Sequence, residues 1–154
     1  MEENYILSVL GKQFVNGESD KVELKTTAAY VMKNGRRYIT YNEYDAQNPN
    51  RRYRTTVKVD ENNIVTVIKG GEESHKLILE KGVRHKCEYV TSFGIITLGV
   101  YTEMVKNTLN DNGGELEVRY TIDIQSELAS QNELILKIEE ATNYVNSGTN
   151  SQQS

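Results

Sequence analysis

Hydrophobic and polar positions alternate with a period of two along most of the chain. The alternation runs through residues 5–10 and resumes over residues 22–30, after Asn16-Gly17. Because successive side chains of a β-strand point to opposite faces, this pattern predicts strands that bury one face. Almost no segment shows the 3.6-residue period of an amphipathic helix, so the pattern favours an all-β protein.

Short turn sequences separate the alternating segments. Asn34-Gly35 lies between an alternating segment that ends at Lys33 and one that begins at Arg36. Asn-Gly in this position predicts a tight hairpin, since both turn residues need a positive φ angle. The four polar residues 60–63 predict a second hairpin turn in the same way.

The second half of the chain continues the same pattern, with strands expected at 74–79, 86–91 and 95–101. The two long final strands are predicted at Glu115–Leu128 and Glu133–Ala141. In the first of them, apolar side chains recur at every second position and share one face; they are Leu116, Val118, Tyr120, Ile122 and Ile124. The pattern does not decide whether 103–109 is helical or extended.

These segments amount to about eight to ten strands joined by short turns. An antiparallel meander of this kind must pack as two sheets or close on itself, and closure removes the unpaired edges that favour aggregation. We therefore expect a small closed antiparallel barrel over residues 1–142. The stretch 143–154 is too polar to pack and is expected to be a disordered tail.

Charge and cysteine content narrow the possible functions. The 154 residues carry a formal net charge of -4, which argues against a dedicated nucleic-acid binder, because phosphate contacts normally require a basic surface. Cys87 is the single cysteine, which excludes an internal disulfide and fits a reducing compartment. Residues 1–5 lack the basic and apolar pattern of a secretion signal, and no stretch approaches the ~18 apolar residues of a membrane span. We expect a cytoplasmic monomer or homodimer with no nucleic-acid or membrane partner.

Four segments together resemble the YwiB-like family of uncharacterised bacterial proteins. They are Tyr41-Asn42-Glu43-Tyr44-Asp45, Thr55-Thr56-Val57-Lys58-Val59, Val65-Thr66-Val67-Ile68-Lys69-Gly70 and Tyr89-Val90-Thr91-Ser92-Phe93-Gly94. Later segments extend the resemblance over about residues 4 to 140. It implies a calycin-like barrel, the architecture of lipocalins and fatty-acid-binding proteins, and implies no established activity. The chain has no tryptophan, so the Gly-x-Trp signature of true lipocalins is missing.

One group of polar side chains is a candidate ligand site inside the barrel. Tyr41 and Glu43 are two residues apart on one strand and therefore share a face. If that face points inward, Glu43 needs a partner, because an isolated buried carboxylate loses its hydration. Lys69 is the obvious candidate partner. The predicted ligand-binding cluster is Tyr41, Glu43, Lys69, Thr91 and Tyr120.

The same residues have two structural interpretations. An internal charge pair can fix strand register without binding anything, and a Glu beside a Lys on the outer face is an ordinary cross-strand pair. We find no catalytic motif, no spacing typical of metal ligands around His75 and His85, and no sign of a cofactor.

The leading hypothesis is a non-enzymatic protein that binds a small, partly apolar ligand inside the barrel. The alternative is a protein-interaction module whose barrel is filled by side chains. An enzymatic function would require that the Glu43 carboxyl group is buried and acts as an acid or base.

Overall fold

Ten β-strands make up most of the described chain. A computed structural model describes residues 3–44, 50, 52–71 and 74–141. The strands are β1 (Tyr5–Val15), β2 (Glu18–Lys33), β3 (Arg36–Tyr44), β4 (Arg52–Val59), β5 (Val65–Gly70), β6 (Ser74–Leu79), β7 (Arg84–Thr91), β8 (Gly94–Asn107), β9 (Gly113–Ile124) and β10 (Glu127–Glu140). Each strand pairs with the next, and β1 pairs antiparallel with β10, so the sheet closes into a barrel. The predicted all-β closed antiparallel barrel is confirmed, and the predicted tail at 143–154 lies outside the described residues.

The hairpin turns show where sequence signals were sufficient and where they were not. Asn34 and Gly35 have φ angles of 54° and 74°, which is the left-handed pair that the Asn-Gly turn predicts. The single strand predicted over Glu115–Leu128 is wrong, because a turn at Gln125-Ser126 divides it between β9 and β10. Both turn residues have positive φ, 55° and 68°, and the Ser126 backbone N–H donates to the Asp123 carboxylate at 3.2 Å. That side chain supports a turn that contains neither glycine nor asparagine.

The segment that the pattern left undecided is extended. β8 continues to Asn107, so 103–107 is strand. The pairing of β8 with β9 shifts register between Thr102 and Met104, which is the mark of a β-bulge. The extra residue interrupts the alternation, and this explains why neither period was visible in the sequence.

The inward side chains are most fully buried toward one end of the barrel. This closed end lies near the turn at Asn34-Gly35, and the opposite end, here called the mouth, lies at the turns Asn16-Gly17, Ser92-Phe93 and Gln125-Ser126. The largest fully buried side chains lie in the closed half of the barrel or at mid-height; they are Leu7, Ile39, Leu79, Leu116, Leu136, Val57, Val65, Val100, Val118 and Thr102. The strand face predicted to be apolar on β9 therefore points into this core.

Two neighbouring strand pairs are joined over only part of their length. The register of β2 with β3 begins at Ala29↔Thr40 and continues toward the closed end, so within the described chain the mouth-side half of β2 has no β3 partner. The register of β6 with β7 contains only Ser74↔Val90 and His75↔Tyr89. Strand pairing is therefore continuous from β8 through β9, β10 and β1 to β2. It is incomplete between β2 and β3 and between β6 and β7.

Candidate functional site

Glu43 and Lys69 form an ion pair on the inner wall near the mouth. Register places Tyr41 opposite Thr55 and Thr55 opposite Lys69, so β3, β4 and β5 present these side chains to the same face. The Glu43 Oε2 lies 2.7 Å from the Lys69 Nζ, and the Thr55 hydroxyl donates to the same oxygen at 3.1 Å. The two charged side chains remain 23% and 33% exposed. The partner predicted for Glu43 is therefore present.

Tyr41 lies beneath this ion pair. It is buried, and burial, reinforced by the negative charge of Glu43, raises the pKa of its phenol well above the ordinary value. Tyr41 is therefore a neutral phenol at physiological pH. The Lys69 Nζ also lies 5.7 Å from the centre of the Tyr53 ring, within the range of a cation–π contact.

His75 and Tyr89 extend the polar wall to β6 and β7. Lys69 lies opposite His75, and His75 lies opposite Tyr89. The two rings stack with their centroids 5.1 Å apart and their planes inclined by 24°. Burial and the charge of Lys69 lower the pKa of His75 below its ordinary value, so the imidazole is neutral at pH 7. Sequence reasoning missed His75 as a neighbour of Lys69, because only the strand register brings the two together.

A cavity of about 380 Å³ lies at the mouth beside the ion pair. Its lining residues come mostly from β1, β2 and β10; they are Val9, Gly11, Lys12, Gln13, Asp20, Val22, Glu43, Lys69, Tyr120, Asn132, Glu133 and Leu134. Gly11 leaves part of this space open, since a Cβ atom built on it would have no atom within 4 Å. Three of the predicted site residues, Glu43, Lys69 and Tyr120, thus line one cavity, and Tyr41 packs behind it.

Thr91 lies apart from this cluster. Its hydroxyl donates to the Gly94 carbonyl at 2.8 Å and accepts from the Phe93 backbone N–H at 3.1 Å. Both bonds stabilise the turn between β7 and β8. Thr91 does not line the cavity that holds Glu43 and Lys69.

Two hydroxyl groups on adjacent strands have no hydrogen-bond partner among the described residues. The Thr102 hydroxyl is wholly buried and unpaired. Tyr120 lies directly opposite Thr102; burial raises the pKa of its phenol to about 12, and no described side chain or carbonyl accepts its proton. Of the two, only the Thr102 hydroxyl is fully buried, and a fully buried polar group without a partner is unfavourable and commonly marks the position of water. Tyr120 is partly buried.

Other kinds of site lack the necessary groups in the described part of the chain. There, no three His, Cys, Asp or Glu side chains lie close enough together to hold a metal ion. Cys87 is buried and free of any disulfide, which fits a small apolar core residue. Over the same residues, no helix is both long and apolar enough to cross a membrane.

Comparison with known proteins places the chain among uncharacterised barrels. The family described as "Domain of unknown function (DUF1934)" matches residues 7–136. The chain is similar to the "Uncharacterized beta-barrel protein YwiB" of Bacillus subtilis (strain 168), with 23% identity over 112 residues that cover 73% of this chain and 76% of that protein. It also superimposes on the crystal structure of ywiB protein from Bacillus subtilis with a TM-score of 0.77 and 22% identity, covering 88% of this chain and 90% of that one. At this identity the structural likeness establishes the fold alone, and neither relative's name assigns an activity.

Proposed function

The chain belongs to the family of the domain of unknown function DUF1934, and we propose that it is a non-enzymatic protein that binds a small, partly apolar ligand in the mouth of its barrel. The observation that carries this proposal is a set of apolar side chains that point into the lumen and yet remain exposed. By strand register, Val22, Ile96 and Ile124 share the inner face with core residues, but they are 63%, 43% and 42% exposed. Inward apolar side chains in contact with water favour an occupant that covers them.

The size and chemistry of the cavity support the same proposal. Its volume of about 380 Å³ falls in the range of about 300–1,000 Å³ that is typical of small-molecule sites. One wall is aliphatic, with Val9, Val22 and Leu134, and the other carries the Glu43–Lys69 ion pair and the Tyr120 hydroxyl. Such a combination holds an apolar body and orients one polar group.

A purely structural role for the ion pair explains less. A charge pair that serves only to fix register needs no cavity beside it, and replacing such a pair by packed apolar side chains is often neutral or stabilising. Here the barrel keeps the pair, an open Gly11 and an unpaired Tyr120 hydroxyl around one cavity. Ligand binding accounts for all three features.

A second candidate function is protein interaction through the hairpin between β7 and β8. Phe93 is fully exposed at the tip of this hairpin, and Val90 and Ile95 pair beside it with 38% and 63% of their surfaces exposed. These three side chains form an apolar patch outside the cavity, as expected for a module that contacts another protein. We further propose a cytoplasmic location for either function, since the single cysteine is a free thiol.

Filling the cavity tests the main proposal. Gly11→Leu places a leucine side chain into the open space, whereas the control Thr97→Leu adds the same side chain to the exposed outer face of β8. The probe is N-phenyl-1-naphthylamine, a neutral apolar dye whose fluorescence rises on leaving water. We expect saturable binding to the unmodified protein and to Thr97→Leu, and at least about tenfold weaker binding to Gly11→Leu.

Equal dye affinity in Gly11→Leu, or no saturable binding to the unmodified protein, would overturn the proposal. Urea denaturation of both variants shows that the barrel is still folded. If the dye binds more weakly to both Gly11→Leu and Phe93→Ser than to the unmodified protein, the hairpin patch contributes to the binding site. The two candidate functions are then not separate.

A further inference from the structure

The charges around the cavity are unbalanced in favour of carboxylates. Five charged residues line it, and they comprise two lysines and three carboxylates: Lys12, Lys69, Asp20, Glu43 and Glu133. Lys69 is already paired with Glu43 at 2.7 Å. Lys12 and Glu133 alternate with the inward Gly11 and Leu134 and so lie on the outer face, where Glu133 is 3.8 Å from the Arg119 guanidinium. The inner wall of the cavity therefore carries one lysine and two carboxylates. Asp20 remains without a cation among the described residues; its carboxylate accepts only the Lys21 backbone N–H, at 2.9 Å.

This arrangement disfavours an anionic ligand head. A carboxylate that enters the cavity meets a lysine whose charge is already neutralised, and it lies near the like charges of Asp20 and Glu43. Displacing Glu43 from Lys69 leaves the partly buried Glu43 carboxylate without a counter-charge, which is costly. The site therefore differs from one that recognises a carboxylate through a free basic side chain.

A protonated amine meets a complementary environment in the same place. Its N–H groups can donate to Asp20, which needs no rearrangement, and to Glu43, which has further lone pairs available. The Tyr120 side chain lines the cavity, and its hydroxyl, which has no partner in the described chain, can accept an N–H.

We infer that the ligand is an organic amine bound in its protonated form, with its ammonium group between Asp20 and Glu43 and its apolar body against Val9, Val22 and Leu134. This inference rests on the proposed function and adds the chemical class of the ligand. The positive charge of the amine balances the excess carboxylate, and the aliphatic wall becomes covered.

Three probes with the same eight-carbon chain test the charge preference. Octylammonium, octanoate and 1-octanol are titrated separately into the full chain at neutral pH and low ionic strength, with isothermal titration calorimetry as the readout. We expect octylammonium to bind tightest, by about tenfold or more over octanoate. Octanol is expected to fall between the two, because it keeps the apolar contacts and carries no charge.

Variants assign the preference to particular carboxylates. Asp20→Asn is expected to lose most of the preference for octylammonium. Glu43→Gln releases the Lys69 charge and is expected to reverse the order, so that octanoate binds more tightly than octylammonium. Glu139→Gln, on an exposed carboxylate paired with Lys137 away from the cavity, is the control and is expected to leave all three affinities unchanged.

The outcomes separate the inference from the proposed function. If octanoate binds the unmodified protein as tightly as octylammonium, the amine assignment is wrong while a small-ligand function stands. The assignment is also wrong if octylammonium binds Gly11→Leu or Asp20→Asn as tightly as the unmodified protein. If none of the three probes binds and the naphthylamine dye also fails, the proposed function itself fails.

Discussion

Removing one partner of the Glu43–Lys69 ion pair is expected to destabilise the barrel more than removing both partners together. Glu43→Gln leaves the partly buried Lys69 ammonium without a counter-charge, and Lys69→Met leaves the Glu43 carboxylate with only the Thr55 hydroxyl as a partner. The double variant contains no charge at this position, so it avoids the unpaired charge that each single variant creates.

The geometry of the pair sets the size of the effect. At 2.7 Å and an effective dielectric constant of about 20, the Coulomb attraction alone is about 6 kcal/mol. Desolvation of the two ions offsets most of this, and the exposure of 23% and 33% lets water screen the remainder. We expect a coupling energy of about 1–2 kcal/mol, which lies between exposed pairs at under about 1 kcal/mol and fully buried pairs at about 3–5 kcal/mol.

Urea denaturation of the unmodified protein, the two single variants and the double variant measures this coupling. Tyrosine fluorescence and circular dichroism follow unfolding, since the chain has ten tyrosines and no tryptophan, and equal m-values show that the cycle compares like transitions. A coupling energy below about 0.3 kcal/mol would refute the argument from distance and burial. So would a double variant that is less stable than either single variant.

Three further predictions concern packing, an unpaired hydroxyl and alkaline pH. Leu136→Ala, in the closed-end core, should lower the free energy of unfolding by about 2–5 kcal/mol. Leu134→Ala, beside the cavity, should lower it by less than about half as much. Equal losses in urea denaturation would contradict the presence of an open cavity at the mouth. Thr102→Val should raise the free energy of unfolding by about 1 kcal/mol, because the buried hydroxyl has no described partner; a loss of stability shows that water satisfies it. Burial raises the pKa of Tyr120 from 10.0 to about 12, so its contribution to stability should be complete below pH 10 and be lost as the pH rises toward 12. Tyrosinate absorbance and urea midpoints measure this, and Tyr120→Phe should show a shallower loss; an unchanged slope contradicts the assignment.

Local signals predicted most strands and the turns at 34–35 and 60–63, and failed where a turn depends on a side chain outside its two central residues. Asn34-Gly35 was predictable because these two residue types tolerate positive φ without help from the rest of the fold. Gln125-Ser126 was not, because the Asp123 side chain supports a turn that its own residues do not favour. The bulge after Thr102 was hidden for a similar reason, since one extra residue breaks the alternation on which strand prediction depends.

The candidate site was predictable in part. Glu43 needed a counter-charge, and Lys69 was chosen correctly because two alternating strands placed both side chains on potential inner faces. Asp20 and Gly11 gave no such signal. An acidic residue near a turn and a glycine within a strand are common features of exposed hairpins, and only closure of β1 onto β10 brings them to the same cavity as Glu43.

The sequence by itself determined that the chain is all-β, where most strands lie, and which face of each strand is apolar, because side-chain direction in a strand depends only on position along the chain. Only the tertiary structure decided which half of the barrel is filled, which charges meet, and that the mouth keeps an open cavity. These features depend on strand register and on the volumes of side chains that are distant in sequence, and no local pattern contains that information.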